Sequence, residues 1–307
     1  MYQKLIHALS HANIPYKEQV SLAEYTAFRT GGAAKICIFP RATEEIMHIF
    51  SLLRETHVPY YILGGGSNVL VADEGICGAV IVIGKDLAEI SVENDLIHVQ
   101  AGAKLSTLVR EAHTAGFTGL EFASGIPGTV GGGIYMNAGA FGGTLSEFIT
   151  TVTSIDQTGK LHTFTNKEAQ FDYRKSVFME NEHVILSGTF SLLRGNIGEA
   201  KARMQEISRL RKEKQPLEYP SAGSTFKRPP DQFAGHLIEQ SGLKGFCIGN
   251  ACVSQKHAGF IINKGGASAK DIMMVIAHVE KTVYEKTGIQ LEKEVRMINN
   301  DALLSLT

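Results

Sequence analysis

The chain has 307 residues, 44% hydrophobic and 20% charged, enough apolar sequence for a sizeable core and for two or three ordinary domains. A net charge of −1 excludes a global pull towards nucleic acid or an anionic membrane surface, and no apolar run approaches the ~18 residues of a membrane span. The four cysteines, Cys37, Cys77, Cys247 and Cys252, show no C-x-x-C pair and no zinc spacing, so reduced thiols in a cytosolic protein are expected.

Residues 1–30 read as a short helical lead-in, with Leu5, Ile6 and Leu9 on one face and no signal-peptide pattern. A strand, Ala34 to Phe39, is closed by Pro40. Thr43 reads as an N-cap, Glu44 and Glu45 favour the first helical turn, and Ile46, Ile49, Phe50 and Leu53 form the buried stripe. Pro59 bars that helix from running into the strand Tyr60 to Leu63. Gly64, Gly65, Gly66, Ser67 and Asn68 follow, then the apolar run Val69 to Ala72. Glycines expose successive backbone N–H groups and accept positive φ. The loop is therefore either a tight turn or an anion-binding nest, with Ser67 and Asn68 adding side-chain donors. It lacks the G-x-x-x-x-G-K-[ST] of a P-loop and the G-x-G-x-x-G of a Rossmann turn.

Further strands are expected at Ala79 to Ile83, Glu89 to Glu93 and Leu96 to Ala101, and a helix carries Leu105, Leu108, Val109 and Ala112. The stretch from Phe122 to Gly143 is too glycine-rich for a stable regular element and has few charges. It suits either a backbone packed on a large flat ligand or a buried connection between subdomains. Residues 151–165 read as two strands around Thr158-Gly159, and Val184 to Leu193 as another. The helix Ile197 to Lys214 ends in Arg209, Arg211, Lys212 and Lys214, which suit its negative terminus and a solvated face. A boundary near Gly195 divides the chain into 1–195 and 196–307. The second part is expected to hold a short helix from Ala234 to Gln240, strands near Ala251 and Gly259 to Ile262, and a long helix capped by Ser268 and Asp271. A final strand, Leu291 to Ile298, would place Glu292, Glu294 and Arg296 on one face. No metal site is expected among the 11 histidines.

Seven stretches in order resemble the UDP-N-acetylenolpyruvoylglucosamine reductase family: Arg29-Thr30-Gly31-Gly32, YYILGGGSNVLVAD, SGIPGTVGGGIYMNAGAFGG, YRKSVF, SAGSTFKRP, HAGFIIN and LEKEVRMI. The resemblance spans nearly the whole chain. It implies an α+β fold: a two-subdomain FAD-binding domain like that of vanillyl-alcohol oxidase, then an α+β substrate-binding domain. It implies non-covalent FAD, NADPH as hydride donor, small-molecule substrates and a cytoplasmic role in peptidoglycan precursor synthesis. Gly64 to Asn68 would hold the cofactor pyrophosphate. Ser124, Gly125, Ile126, Pro127, Gly128, Thr129, Gly132 and Gly133 would run beside the flavin ring and the rest of the cofactor, with Asn137 and Gly139 nearby. The connection from Phe178 to Ser221 is short, which resembles the branch lacking an extra tyrosine loop over the substrate's nucleotide.

The implied reaction adds hydride to C3 of an enolpyruvyl ether and builds negative charge at C2 and its carboxylate. Such a site wants a cation at the carboxylate and an acid at C2. The resemblance assigns these tasks to Arg174, whose planar fork suits a carboxylate, to Glu294 as an acid with a raised pKa, and to Ser224 as proton donor. Tyr173, Lys227 and His257 are the candidate substrate contacts. On the residues alone, a related flavin oxidase and a non-enzymatic nucleotide-sugar binding protein stay open.

Overall fold

The computed structural model describes residues 1–306. The first unit holds α1 (Tyr2–His11), β1 (Tyr16–Ser21), β2 (Ala33–Ile38), α2 (Thr43–Thr56), β3 (Tyr60–Leu63), β4 (Val69–Val71) and β5 (Ile76–Val82). Its four-stranded sheet runs β1-β2-β5-β3, with β5 parallel to both neighbours and β1 antiparallel to β2. Side-chain alternation along β5 divides two cores: Ala79 and Ile81 pack under α1 and α2, whereas Ile76 and Val80 face the other side. The α2 stripe of Ile46, Ile49, Phe50 and Leu53 is buried as its spacing predicts. Two expectations fail here. Thr43 is the first helical residue and its side chain makes no cap; the N-cap is Ala42, and Glu45 instead accepts a bond from the Arg41 backbone N–H at 2.7 Å. The lead-in is also more than helix, because β1 adds an edge strand after α1.

The second unit holds β6 (Ile90–Glu93), β7 (Leu96–Gln100), α3 (Leu105–Thr114), β8 (Phe117–Thr118), α4 (Val130–Tyr135), β9 (Gly139–Ala140), β10 (Gly143–Thr144), β11 (Ile149–Ile155), β12 (Leu161–Thr165), β13 (Val184–Ser191) and β14 (Leu193–Arg194). The sheet order is β12-β11-β13-β7-β6, antiparallel throughout. The helices α3 and α4 bury Leu105, Leu108, Val130 and Ile134 in a core shared with Ile97, Val99, Val152 and Phe190. The helix α4 lies inside the stretch expected to hold no regular element. Its glycines answer to packing: a Cβ on Gly131 would lie 2.8 Å from the Ala101 Cβ, and one on Gly133 2.9 Å from Leu145. Tertiary packing thus overrides the poor helix propensity of three successive glycines.

The chain then continues through α5 (Ile197–Lys214), α6 (Ala234–Gln240), β15 (Cys247–Ile248), β16 (Ala251–Val253), β17 (Ile261–Asn263), α7 (Ala269–Thr287) and β18 (Arg296–Ile298). A separate core gathers Leu237, Ile238 and Ile261 under Ile272, Val275, Ile276, Val279 and Val283 of α7. The α7 ends follow the sequence: Ser268 and Asp271 form a capping box, and Gly288 takes the left-handed C-cap at φ +71°. The expected strand Leu291 to Ile298 shrinks to β18. Residues before it pair instead with the chain near Thr225: the Lys227 N–H donates to Glu292 O (2.8 Å) and the Glu294 N–H to Thr225 O (2.9 Å). The expectation of four free thiols also fails. The β15–β16 hairpin sets Cys247 opposite Cys252, and the two form a disulfide; Cys37 and Cys77 are free. A five-residue separation hides this pairing from a search for C-x-x-C.

A short seam joins the last strand to the first unit. The strand β18 runs parallel to β4 with Arg296, Met297 and Ile298 opposite Val69, Leu70 and Val71. Just beyond β4, the Asp73 carboxylate accepts the Ala269 and Lys270 backbone N–H groups at 2.8 and 2.9 Å. Among the described residues, no helix is long and apolar enough to cross a membrane.

The Phe50 ring is buried, 5.6 Å from the Tyr60 ring at the centre of the largest core. Phe50→Ala should cost about 3–5 kcal/mol of stability. Urea unfolding followed by circular dichroism would register that loss as a lower midpoint with an unchanged slope; an unchanged midpoint would contradict this packing.

Candidate active site

The glycine loop between β3 and β4 meets the loop before α4 at main-chain distance. A Cβ on Gly65 would lie 2.7 Å from Gly128 Cα, and one on Gly64 2.7 Å from Thr129 Oγ1. Gly66 sits at φ +60°, against the Tyr25 carbonyl, and Gly128 at φ +115°. Only glycine tolerates both the conformation and the approach. The two loops line one cavity of about 830 Å³, with Gly64, Gly65, Gly66, Ser67, Asn68, Ile126, Pro127, Gly128, Thr129, Gly132, Gly133 and Gly139 on its wall. Ser124, Gly125 and Asn137 do not line it. Asn137 is buried, at φ +41°, and its amide bridges Asp172 O (3.0 Å) and the Ser146 N–H (3.1 Å), so its place is structural. The polar side chains of the first loop are also engaged: Ser67 Oγ donates to Pro127 O (3.1 Å) and Asn68 Nδ2 to Glu294 O (3.0 Å). These bonds leave backbone donors as the loop's contribution to an anion.

Arg211 is the residue that sequence reasoning missed. It does not point to solvent with the rest of the basic end of α5. It turns inward over Gly125, where a Cβ would lie 2.7 Å from Arg211 Cδ, and it lines the cavity. Burial pushes its pKa down, and among the described residues it has no ion-pair partner. Arg29 and Arg296 also line the cavity, and among the described residues neither has a carboxylate partner. No local signal in the sequence marks Arg211, because Gly125 is distant in the chain and meets it only in the fold. A long cavity walled by close backbone, with three unpaired guanidinium groups, fits a dinucleotide carrying a pyrophosphate.

At one end of this cavity the catalytic candidates converge. Arg174 Nε donates to Glu294 Oε1 at 2.7 Å, and its Nη2 donates to Gly139 O at 2.9 Å. Both side chains are largely buried, at 18% and 14% exposure. Arg174 adopts φ +53°, a left-handed conformation unfavourable for a non-glycine residue. Burial pushes the Glu294 pKa up, and the opposing pull of Arg174 is the weaker influence. Ser224 follows Gly223 (φ +78°), and its backbone bridges Phe260. Ser224, Arg174 and Glu294 also face an adjoining pocket of about 400 Å³.

That second pocket contains Tyr173 and His257. Tyr173 Oη accepts the Arg228 N–H at 3.1 Å, and the Arg228 guanidinium stacks 4.0 Å from the Phe233 ring centre. His257 Nδ1 accepts the Gly259 N–H at 3.1 Å, and burial lowers the pKa, so the imidazole is neutral with its proton on Nε2. Lys227 is not on either wall; it is paired with Glu292.

Two family descriptions match the chain: an FAD binding domain over residues 34–165, and the C-terminal domain of UDP-N-acetylenolpyruvoylglucosamine reductase over residues 215–298. A UDP-N-acetylenolpyruvoylglucosamine reductase of Clostridium novyi is 46% identical over 286 residues, 93% of each chain. One from Lactobacillus delbrueckii subsp. bulgaricus is 42% identical over 296 residues, covering 96% of this chain and 99% of its own. The crystal structure of UDP-N-acetylenolpyruvylglucosamine reductase from Thermus caldophilus superposes with a TM-score of 0.80 at 35% identity, over 93% of this chain and 99% of that one. With both halves matched, and relatives aligned over nearly their full length, the chain belongs to the UDP-N-acetylenolpyruvoylglucosamine reductase family.

Proposed function

We propose that Arg174, Glu294 and Ser224 form the reducing site of an NADPH-dependent flavoenzyme that converts the enolpyruvyl ether of UDP-N-acetylglucosamine to the lactyl ether of UDP-N-acetylmuramate. The observation that carries this reading is the buried Arg174–Glu294 pair on the wall shared by the two cavities, with Ser224 on the same wall. Bound FAD supplies the relay that accepts hydride from NADPH and delivers it to C3 of the substrate. The reading includes a cytoplasmic place in peptidoglycan precursor synthesis and a division into a cofactor-binding part, 1–195, and a substrate-binding part, 196–307.

Two of the five N–H groups of Arg174 are engaged, which leaves its Nη1 edge for the substrate carboxylate. As charge builds at C2 and spreads into that carboxylate, the guanidinium holds it in a site with little water to screen it. Burial favours the neutral form of Glu294 beside the developing charge, and its Oε1 accepts from Arg174. Ser224 would donate the proton to C2. The nucleotide end extends into the smaller pocket, where Arg228, stacked on Phe233, supplies a cation and Tyr173 a ring. Here a direct pocket takes the place of the tyrosine loop.

A protonated Glu294 has a thermodynamic signature. Its folded pKa lies above its unfolded value, so its contribution to stability is complete below the ordinary glutamate range. That contribution is lost as pH rises through the folded pKa. Chemical unfolding of the flavin-free protein should therefore show wild type losing ground to Glu294→Gln as pH rises through this window. A constant difference between the two proteins would contradict a raised pKa.

The two half-reactions separate the catalytic roles. Ser224→Ala should bleach the flavin absorbance with NADPH at the parent rate, since that step needs no proton at C2. On addition of the enolpyruvyl substrate, return of the absorbance should slow by ~10² to 10⁴. Stopped-flow absorbance reads both steps. Reoxidation at the parent rate would remove Ser224 as the donor.

A further inference from the structure

At a corner of the five-stranded sheet, three side chains suited to a metal ion converge. Asp156 follows β11, His162 lies in β12, and His183 immediately precedes β13. The antiparallel register brings them together: Ser154 is opposite His162 on one side and Ile185 on the other. One ligand atom from each of the three lies within 4.8 Å of the others. His162 Nε2 and Asp156 Oδ2 are 2.7 Å apart, and the two imidazole centres are 4.8 Å apart. All three residues are half-buried.

The groups behind them hold these atoms in place. Asp156 Oδ1 accepts from the Thr158 N–H (2.8 Å), the Thr158 hydroxyl (2.6 Å) and the Lys160 N–H (3.0 Å), leaving Oδ2 for the histidines. Ser154 Oγ, in a fully buried residue, meets His183 Nδ1 at 3.1 Å and leaves Nε2 free. An outer partner that fixes a ligand's orientation, present here on the carboxylate and on His183, is what metal-binding imidazoles and carboxylates adopt. A plain ion pair would account for Asp156 and His162. It gives no reason for a second imidazole beside them with its own serine support.

We propose that Asp156, His162 and His183 bind one divalent transition-metal ion of the zinc class, which pins the β11–β12 hairpin to the start of β13. Two imidazole nitrogens and one carboxylate oxygen suit Zn²⁺, Co²⁺, Ni²⁺ or Cu²⁺ and disfavour Mg²⁺ or Ca²⁺, which take oxygen donors. Tetrahedral bonds of about 2.1 Å need ligand atoms about 3.4 Å apart. A side-chain rotation of His183 towards the pair closes the longest separation, and water completes the shell. His183, with Val184 and Ile185 after it, lines the large cavity. The ion would therefore steady that wall.

The test uses tag-free holoenzyme stripped with a chelator. His7 and His11, both exposed on α1 four residues apart, are first replaced by glutamine, since they form the competing surface pair. Calorimetric titration with ZnCl₂ should give one equivalent and a higher unfolding temperature. His162→Gln, His183→Gln and Asp156→Asn should each weaken binding at least about tenfold, with Ser154→Ala a smaller loss. Cu²⁺ bound to the His7/His11-free protein should show two imidazole nitrogens in its electron paramagnetic resonance spectrum, a readout that needs no site variant to fold. No stoichiometric binding, a copper spectrum without two imidazoles, or undiminished affinity in a folded His162→Gln/His183→Gln variant would overturn the site.

Discussion

The structure depends on the short parallel seam between β4 and β18. The glycine loop empties directly into β4, and Glu294 stands two residues before β18. Three backbone positions on each side therefore fix the distance between the glycine loop and Glu294. The seam is reinforced at both ends. Asn68 donates to Glu294 O and its carbonyl accepts the Arg296 N–H at 3.1 Å, while Asp73 caps α7. The paired residues are more than 220 positions apart. Closing so long a loop costs only slowly more than closing a short one. Buried pairing and charged caps can offset that cost.

Against this fixed acid, the second unit presents Arg174 in a strained backbone conformation. A non-glycine residue in the left-handed region costs on the order of 1–3 kcal/mol, and its surroundings must over-determine it. The bonds to Glu294 and Gly139 O are what hold it. The pair thus ties the second unit to the segment before β18, and each needs the other: Glu294 accepts from a largely buried guanidinium, and Arg174 orients the carboxyl. That balance is the reason a salt-bridged glutamate can still have a raised pKa.

What was legible in the sequence was local. The apolar stripes of α2 and α7, the Ser268 capping box and the strand before the glycine loop follow from spacing and cap chemistry. The glycines marked where backbones meet, though those of α4 answer to packing against Ala101 and Leu145 as much as to a ligand. What was illegible depends on long-range register. The truncation of the final strand follows from its pairing near Thr225, and the convergence of Asp156, His162 and His183 from three antiparallel strands. Arg211 looked like a helix-end charge until its contact with Gly125 was visible. Thr43 shows the opposite failure: a good cap residue one position too late to cap.

The central claim is that Arg174 and Glu294 act as one unit on the substrate and not on NADPH. A double-mutant cycle with Arg174→Lys and Glu294→Gln, read by single-turnover flavin absorbance, tests it most directly. For reoxidation by the enolpyruvyl substrate, the double variant should be little slower than the worse single variant. For reduction by NADPH, all four proteins should agree closely. Additive losses in the substrate step, or equal losses in both half-reactions, would contradict the account.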